Sequence, residues 1–149
     1  MIHRTSFCGV ILAAGASTRM GRDKALLAWP PENTTGETLL SAAINAFIPF
    51  NHLVIVVAGK NASAVKPVVN ACGGHLTINS EPDRGQFSSL QCGLQEVVNR
   101  GHDAAMITLV DKPPVKAATL EQLGKEFVTA SSNEKWAVVP DYGGKHGHP

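Results

Sequence analysis

The residues best suited to chemistry lie together in Leu12-Ala13-Ala14-Gly15-Ala16-Ser17-Thr18-Arg19-Met20-Gly21-Arg22-Asp23-Lys24. They follow an apolar run from Phe7 to Leu12 that reads as a buried strand, so the loop leaves that strand at its carboxyl end. Small side chains let backbone N–H groups approach a bound anion, while Arg19 and Lys24 bring countercharge. The phosphates of a nucleoside triphosphate need such a loop. The position suits them too, because open α/β sheets bind ligands outside the carboxyl ends of their strands.

Three familiar loops are excluded. In a Walker A loop the Lys directly follows the second glycine and a hydroxyl residue comes next; here Lys24 lies three beyond Gly21 and Ala25 follows it. A dinucleotide fingerprint needs G-x-G-x-x-G and an acid ending the next strand, whereas that strand ends Val57-Ala58-Gly59-Lys60. The nucleophile elbow G-x-S-x-G fails at its last position, which is Arg19. What the loop resembles is the signature L-A-A-G-x-S-x-R-M-G-x-x-K of the MobA/MocA-like nucleotidyltransferases, with every fixed position filled in order. Within them it is most like the molybdenum cofactor cytidylyltransferases, with the guanylyltransferase branch next.

Asp111 ends a run of apolar residues (Met106, Ile107, Leu109, Val110), where a carboxylate needs either a site or a partner. Magnesium takes one or two protein carboxylates plus phosphate oxygens and water, so one Asp at this edge suffices. Leu109-Val110-Asp111-Lys112-Pro113 resembles the family's metal-binding Leu-x-Asp-x-Pro, with Lys112 where members carry Gln or Met. The stretch from Asn79 through Gly85-Gln86-Phe87-Ser88-Ser89-Leu90 to Gly93-Leu94 resembles the cytidylyltransferase pattern of Asn followed by G-Q-x-S-S-L-x-x-G-L. By that resemblance Asn79, Gly85, Ser88 and Ser89 contact the nucleotide; read alone, the two serines also suit a helix cap. Gly144-Lys145-His146-Gly147-His148-Pro149 resembles the G-x-x-G-H-P loop beside the acceptor pocket, which implies His148 there.

The resemblance implies transfer of CMP from CTP, or GMP from GTP, to a phosphorylated small acceptor such as molybdopterin, with Mg2+ as cofactor. A molybdoenzyme or its chaperone is the protein partner implied. The nucleotide-binding set is Leu12, Ala13, Ala14, Gly15, Ser17, Arg19 and Lys24 with the 79–89 residues. Arg19, Lys24 and Asp111 form the catalytic set: Arg19 for the β- and γ-phosphates, Lys24 for the α-phosphate, Asp111 for the metal. Family members continue past Gly-His-Pro with elements that complete the acceptor pocket and add a second acid. Residues 1–149 therefore read as a single NTP-transferase domain short of those elements. A nucleotide-binding remnant without turnover is the alternative.

Composition agrees with a globular domain: 44% hydrophobic, 17% charged, net charge +1. That balance argues against a nucleic-acid or acidic-membrane surface, and no apolar run is long enough for a span. A cytoplasmic address is expected, with Cys8, Cys72 and Cys92 as buried thiols. His146 and His148 lack the ligands for a structural zinc.

Strands alternating with helical patterns predict an α/β fold with a mainly parallel sheet. The resemblance makes it three-layer and Rossmann-like, with helices on both faces, of the nucleotide-diphospho-sugar transferase type. Strands are expected at 7–13, 53–58, 76–79, 104–110 and 136–139. Helices are expected at 37–47, from Asn61 to about Cys72, from Ser88 or Ser89 to Asn99, and at 115–129. Pro67 is expected to kink or shorten the second helix. Trp29 and Trp136 are placed in or beside the core.

Overall fold

The computed structural model describes residues 5–15 and 21–145. Two compact units divide the chain, Met1–Pro114 and Val115–Pro149. The first holds β1 (Phe7–Leu12), α1 (Leu39–Phe47), β2 (Leu53–Ala58), α2 (Ala62–Ala71), β3 (His75–Ile78), α3 (Gln86–Asn99) and β4 (Ala104–Leu109). The second holds α4 (Ala117–Ser132).

The four strands form one parallel sheet in the order β3-β2-β1-β4. Residues 53–58 are a continuous β-branched and apolar run, as a strand covered on both faces requires, and all but Leu53 are buried. Alternate residues of β1 face opposite layers. A Cβ on Gly9 would stand 2.7 Å from the Phe47 ring of α1. On the other face Cys8, Val10 and Leu12 join Ile55, Val57 and Val97 in a buried cluster. There α3 comes so close that a Cβ on Gly93 would stand 2.7 Å from Val10 Cγ1 and 3.0 Å from Val57 Cγ2.

This layering follows from handedness. Right-handed crossovers β1-α1-β2 and β2-α2-β3 step one way along the sheet, whereas the crossover through α3 to β4 steps back, which puts α3 on the opposite face. The reversal makes the β1/β4 boundary the topological switch point.

Local chemistry shifts several boundaries from expectation. Helix α1 begins at Leu39 because Thr38 and Ser41 form a reciprocal capping box, each side chain accepting the other's backbone N–H. Pro67 sits inside α2 without ending it; the carbonyl it leaves unbonded is that of Ser63, an exposed residue. Helix α3 starts at Gln86, ahead of both serines, with Gly85 as its N-cap. Gly85 has φ 94° and ψ 175°, a conformation closed to residues with a Cβ. Ser88 then sits in the first turn, its hydroxyl donating to the Gly85 carbonyl at 2.7 Å.

The strand expected at 136–139 is not formed, and Trp136 is 84% exposed rather than at the core edge. A short apolar run becomes a strand only where a neighbour supplies a ladder, which its own sequence cannot show. Trp29 is half-buried. Cys8 is fully buried and its thiol pushed up to about 11, chiefly by burial; Cys72 and Cys92 are half-buried and raised for the same first reason. Among the described residues no helix is long and apolar enough to cross a membrane.

Candidate functional site

Level strand ends create the cleft. Leu12 of β1 pairs with Leu109 of β4, and Val110 N donates to Leu12 O at 3.1 Å, so both chains leave the sheet at one height. Between them opens a cavity of about 270 Å³ at the switch point. Leu12, Ala13, Ala14 and Gly15 line one side, and Leu109, Val110 and Asp111 the other. Pro82, Gly85, Gln86 and Ser89 close it from the start of α3, with Asp23 and Lys24 at the loop's far end.

Lys24 is held by a short 3-10 turn, Lys24–Leu26. Asp23 caps that turn, its Oδ1 accepting from Ala25 N at 3.0 Å. The turn brings Lys24 Nζ to 3.9 Å from Asp111 Oδ2, with both side chains about half exposed at the cavity mouth. A cation and an anion at this separation can share a ligand that carries both phosphate charge and a divalent ion.

Asn79 braces the start of α3. It is 7% exposed, and its Nδ2 donates to Ser88 Oγ at 2.8 Å and to Ser89 Oγ at 3.0 Å. Its Oδ1 accepts from Glu81 N at 3.0 Å. Asn79 is thus a strut that ties the end of β3 to the first turn of α3. Ser89 and Gly85 line the cavity, whereas Asn79 and Ser88 do not.

Of the residues expected from sequence, the structure gathers Leu12, Ala13, Ala14, Gly15, Lys24, Gly85, Ser89 and Asp111 around one cavity. Ser17, Arg19 and His148 lie outside the described residues. Sequence reasoning missed Asp23, Gln86 and Pro82 as lining residues. Asp23 carried a readable signal, an Asp directly before the Lys, in a position to cap the turn that presents it.

The donor chemistry constrains any metal. Among the described residues no three His, Cys, Asp or Glu side chains come together as a metal cage. Asp111 offers hard carboxylate oxygen at a half-exposed mouth, which fits a magnesium-class ion that arrives with phosphates and keeps its remaining ligands from them and water.

A parallel sheet with a cavity at the switch point, walled by a small-residue loop and closed by a Lys–Asp pair, defines an open α/β domain of the Rossmann-like type. The model of the MobA-like NTP transferase domain matches residues 9–149, and the chain belongs to that nucleotidyltransferase family. It is 34% identical over 121 residues to the bifunctional protein GlmU of Mycolicibacterium gilvum, covering 76% of this chain and 24% of that one. It is also 34% identical over 117 residues to nicotine blue oxidoreductase of Paenarthrobacter nicotinovorans, covering 77% of this chain and 54% of that one. The chain thus spans between a quarter and about half the length of these relatives. Among solved structures, Rv0371c of Mycobacterium tuberculosis H37Rv superposes with a TM-score of 0.67 at 27% identity, covering 97% of this chain and 69% of that one. A complex of Rv0371c with manganese superposes at 0.58, with 26% identity, over 87% of this chain and 61% of that one.

Proposed function

We propose that this chain transfers CMP from CTP to the phosphate of a small acceptor, molybdopterin or a similar compound, with release of pyrophosphate. The observation that carries the reading is the cavity at the switch point, where Lys24 and Asp111 face each other at 3.9 Å across the end of a small-residue loop. Backbone amides of Ala14 and Gly15 cradle the triphosphate, with Ser17 continuing the cradle and Arg19 taking the outer phosphates. Lys24 neutralises charge developing at the α-phosphate while the acceptor phosphate attacks in line. Asp111 would hold Mg2+, which supplies Lewis-acid neutralisation of phosphate oxygens when bound. Gly85 and Ser89 present the start of α3 to the nucleoside, and His148 belongs to the acceptor side. The choice of CTP over GTP rests on the 85–94 segment alone.

One observation favours a second reading, nucleotide binding without turnover. Asp23 and Asp111 are the carboxylates lining the cavity, and both oxygens of Asp23 are already bonded within the protein. A second acid for the metal is thus not at hand among the described residues. Pyrophosphate release from Mg-CTP with molybdopterin as acceptor separates the two. Turnover that is lost in Lys24→Ala supports transfer. Calorimetric binding of Mg-CTP without turnover selects the second reading, and absence of binding by either Mg-CTP or Mg-GTP overturns both.

A further inference from the structure

The side chain of Asn61 stands at the start of α2, where the sequence suggests a helix cap, yet it makes no capping bond to its own helix. Its three hydrogen bonds all go elsewhere. Nδ2 donates to Ala13 O at 2.8 Å and to Asp23 Oδ2 at 2.6 Å, and Oδ1 accepts from Gly59 N at 3.0 Å. One amide thereby fastens the end of β1, the end of β2 and the residue that caps the Lys24 turn.

We propose that Asn61 is a positioning residue for the phosphate-facing loop, setting where the Ala13–Gly15 backbone and Lys24 stand relative to each other. The inference rests on the reading of this cavity as a triphosphate site. The linkage is specific in chemistry as well as place. Asp23 is gripped at both oxygens, by Asn61 at one and by Ala25 N at the other, so its carboxylate couples Asn61 to the turn that carries Lys24. Only an amide satisfies all three neighbours, since Ala13 O and Asp23 Oδ2 need donors and Gly59 N needs an acceptor. The same pattern fixes the orientation of the amide, because a flipped group would set oxygen against oxygen. Asn61 reaches a loop some fifty positions earlier, and no local rule of helix capping points there.

Asn61→Asp tests this with almost no change in shape. The variant keeps the acceptor for Gly59 N but turns a carboxylate oxygen toward both Asp23 and Ala13 O. Displacing a positioned group by about 1 Å can cost roughly 100-fold. The expected result is roughly 10–100-fold weaker calorimetric binding of both Mg-CTP and magnesium tripolyphosphate, with the far-ultraviolet circular dichroism of wild type. Equal losses for the two probes locate the effect at the phosphates rather than the base. The swapped variant Asn61→Asp with Asp23→Asn restores one donor–acceptor pair and should recover part of the loss. Should Asn61→Asp not fold, Asp23→Asn alone serves, because its amide can match Asn61 or Ala25 N but not both. Folded variants that bind both probes as wild type does overturn the inference and leave the triphosphate reading intact. Failure of wild type itself to bind either probe overturns that reading and the inference with it.

Discussion

Lys24 Nζ stands 3.9 Å from Asp111 Oδ2, a contact between the loop that follows β1 and the residue that follows β4. The pair sits at a half-exposed mouth, so its own attraction adds little to stability. Its effect is on what enters. Asp111→Asn keeps the shape and removes the negative charge beside Lys24. Metal-free tripolyphosphate should then bind as tightly as to wild type or tighter, while the strengthening that Mg2+ brings is lost. Paired titrations with and without Mg2+ check both halves.

Asn79 makes three hydrogen bonds from a nearly buried position. Asn79→Ala leaves Ser88, Ser89 and Glu81 N short of a partner, each at the hinge between β3 and α3. A loss of about 1–3 kcal/mol is expected in urea unfolding, the scale for an orphaned buried polar group. Asn79→Asp should cost less, since a carboxylate keeps the acceptor for Glu81 N and can accept from the Ser89 hydroxyl. Ser88, whose hydroxyl already donates to Gly85 O, only loses its donor.

Gly93 gives α3 its close approach to the sheet. Any Cβ there meets Val10 and Val57, both fully buried in the central strands. Gly93→Val should lower stability by about 1–3 kcal/mol or more by overpacking, read as a lowered denaturation midpoint. Because α3 also forms one wall of the cavity, weaker nucleotide binding should accompany the loss.

Glu96 is clamped at the far end of α3. Arg100 Nε donates to its Oε1 at 2.8 Å, and His75 Nε2 lies 3.2 Å from the same oxygen. The bond from Arg100 is the main cause that holds this carboxyl below its ordinary value of 4.5. A group whose pKa is depressed on folding stabilises the fold above the unfolded pKa and loses that contribution as pH falls through the folded one. Glu96→Gln should therefore be less stable than wild type at neutral pH. The difference should shrink as pH falls from about 5 toward 3 in urea titrations. A difference that stays constant over that range would show that packing, not charge, is what Glu96 supplies.

Much of this architecture was legible in the chain. The apolar runs at 7–12 and 53–58 announce buried parallel strands, and the run at 104–109 also announces a strand, which stands at the sheet edge with only Ala104 buried. The small-residue loop with its trailing Lys marks one wall of the cavity, and Asp111 betrays itself as a carboxylate closing an apolar run. Other signals misled for identifiable reasons. Serine is a strong helix cap, so Ser88 and Ser89 drew the start of α3 away from Gly85, whose role depends on a positive φ that no composition reveals. The run at 136–139 has strand-like residues but no ladder.

What the sequence determined by itself are the features set by neighbours along the chain: which segments have the pattern of strands, where a small-residue loop follows the first of them, and which charges accompany it. Tertiary structure alone decided the partners of Asn61 and Asn79, the seating of Gly93 against two valines, and the meeting of Lys24 with Asp111. The division is physical. Backbone preference and hydrophobic periodicity act over a few residues, whereas a side-chain amide bonds whatever the completed fold brings within about 3 Å.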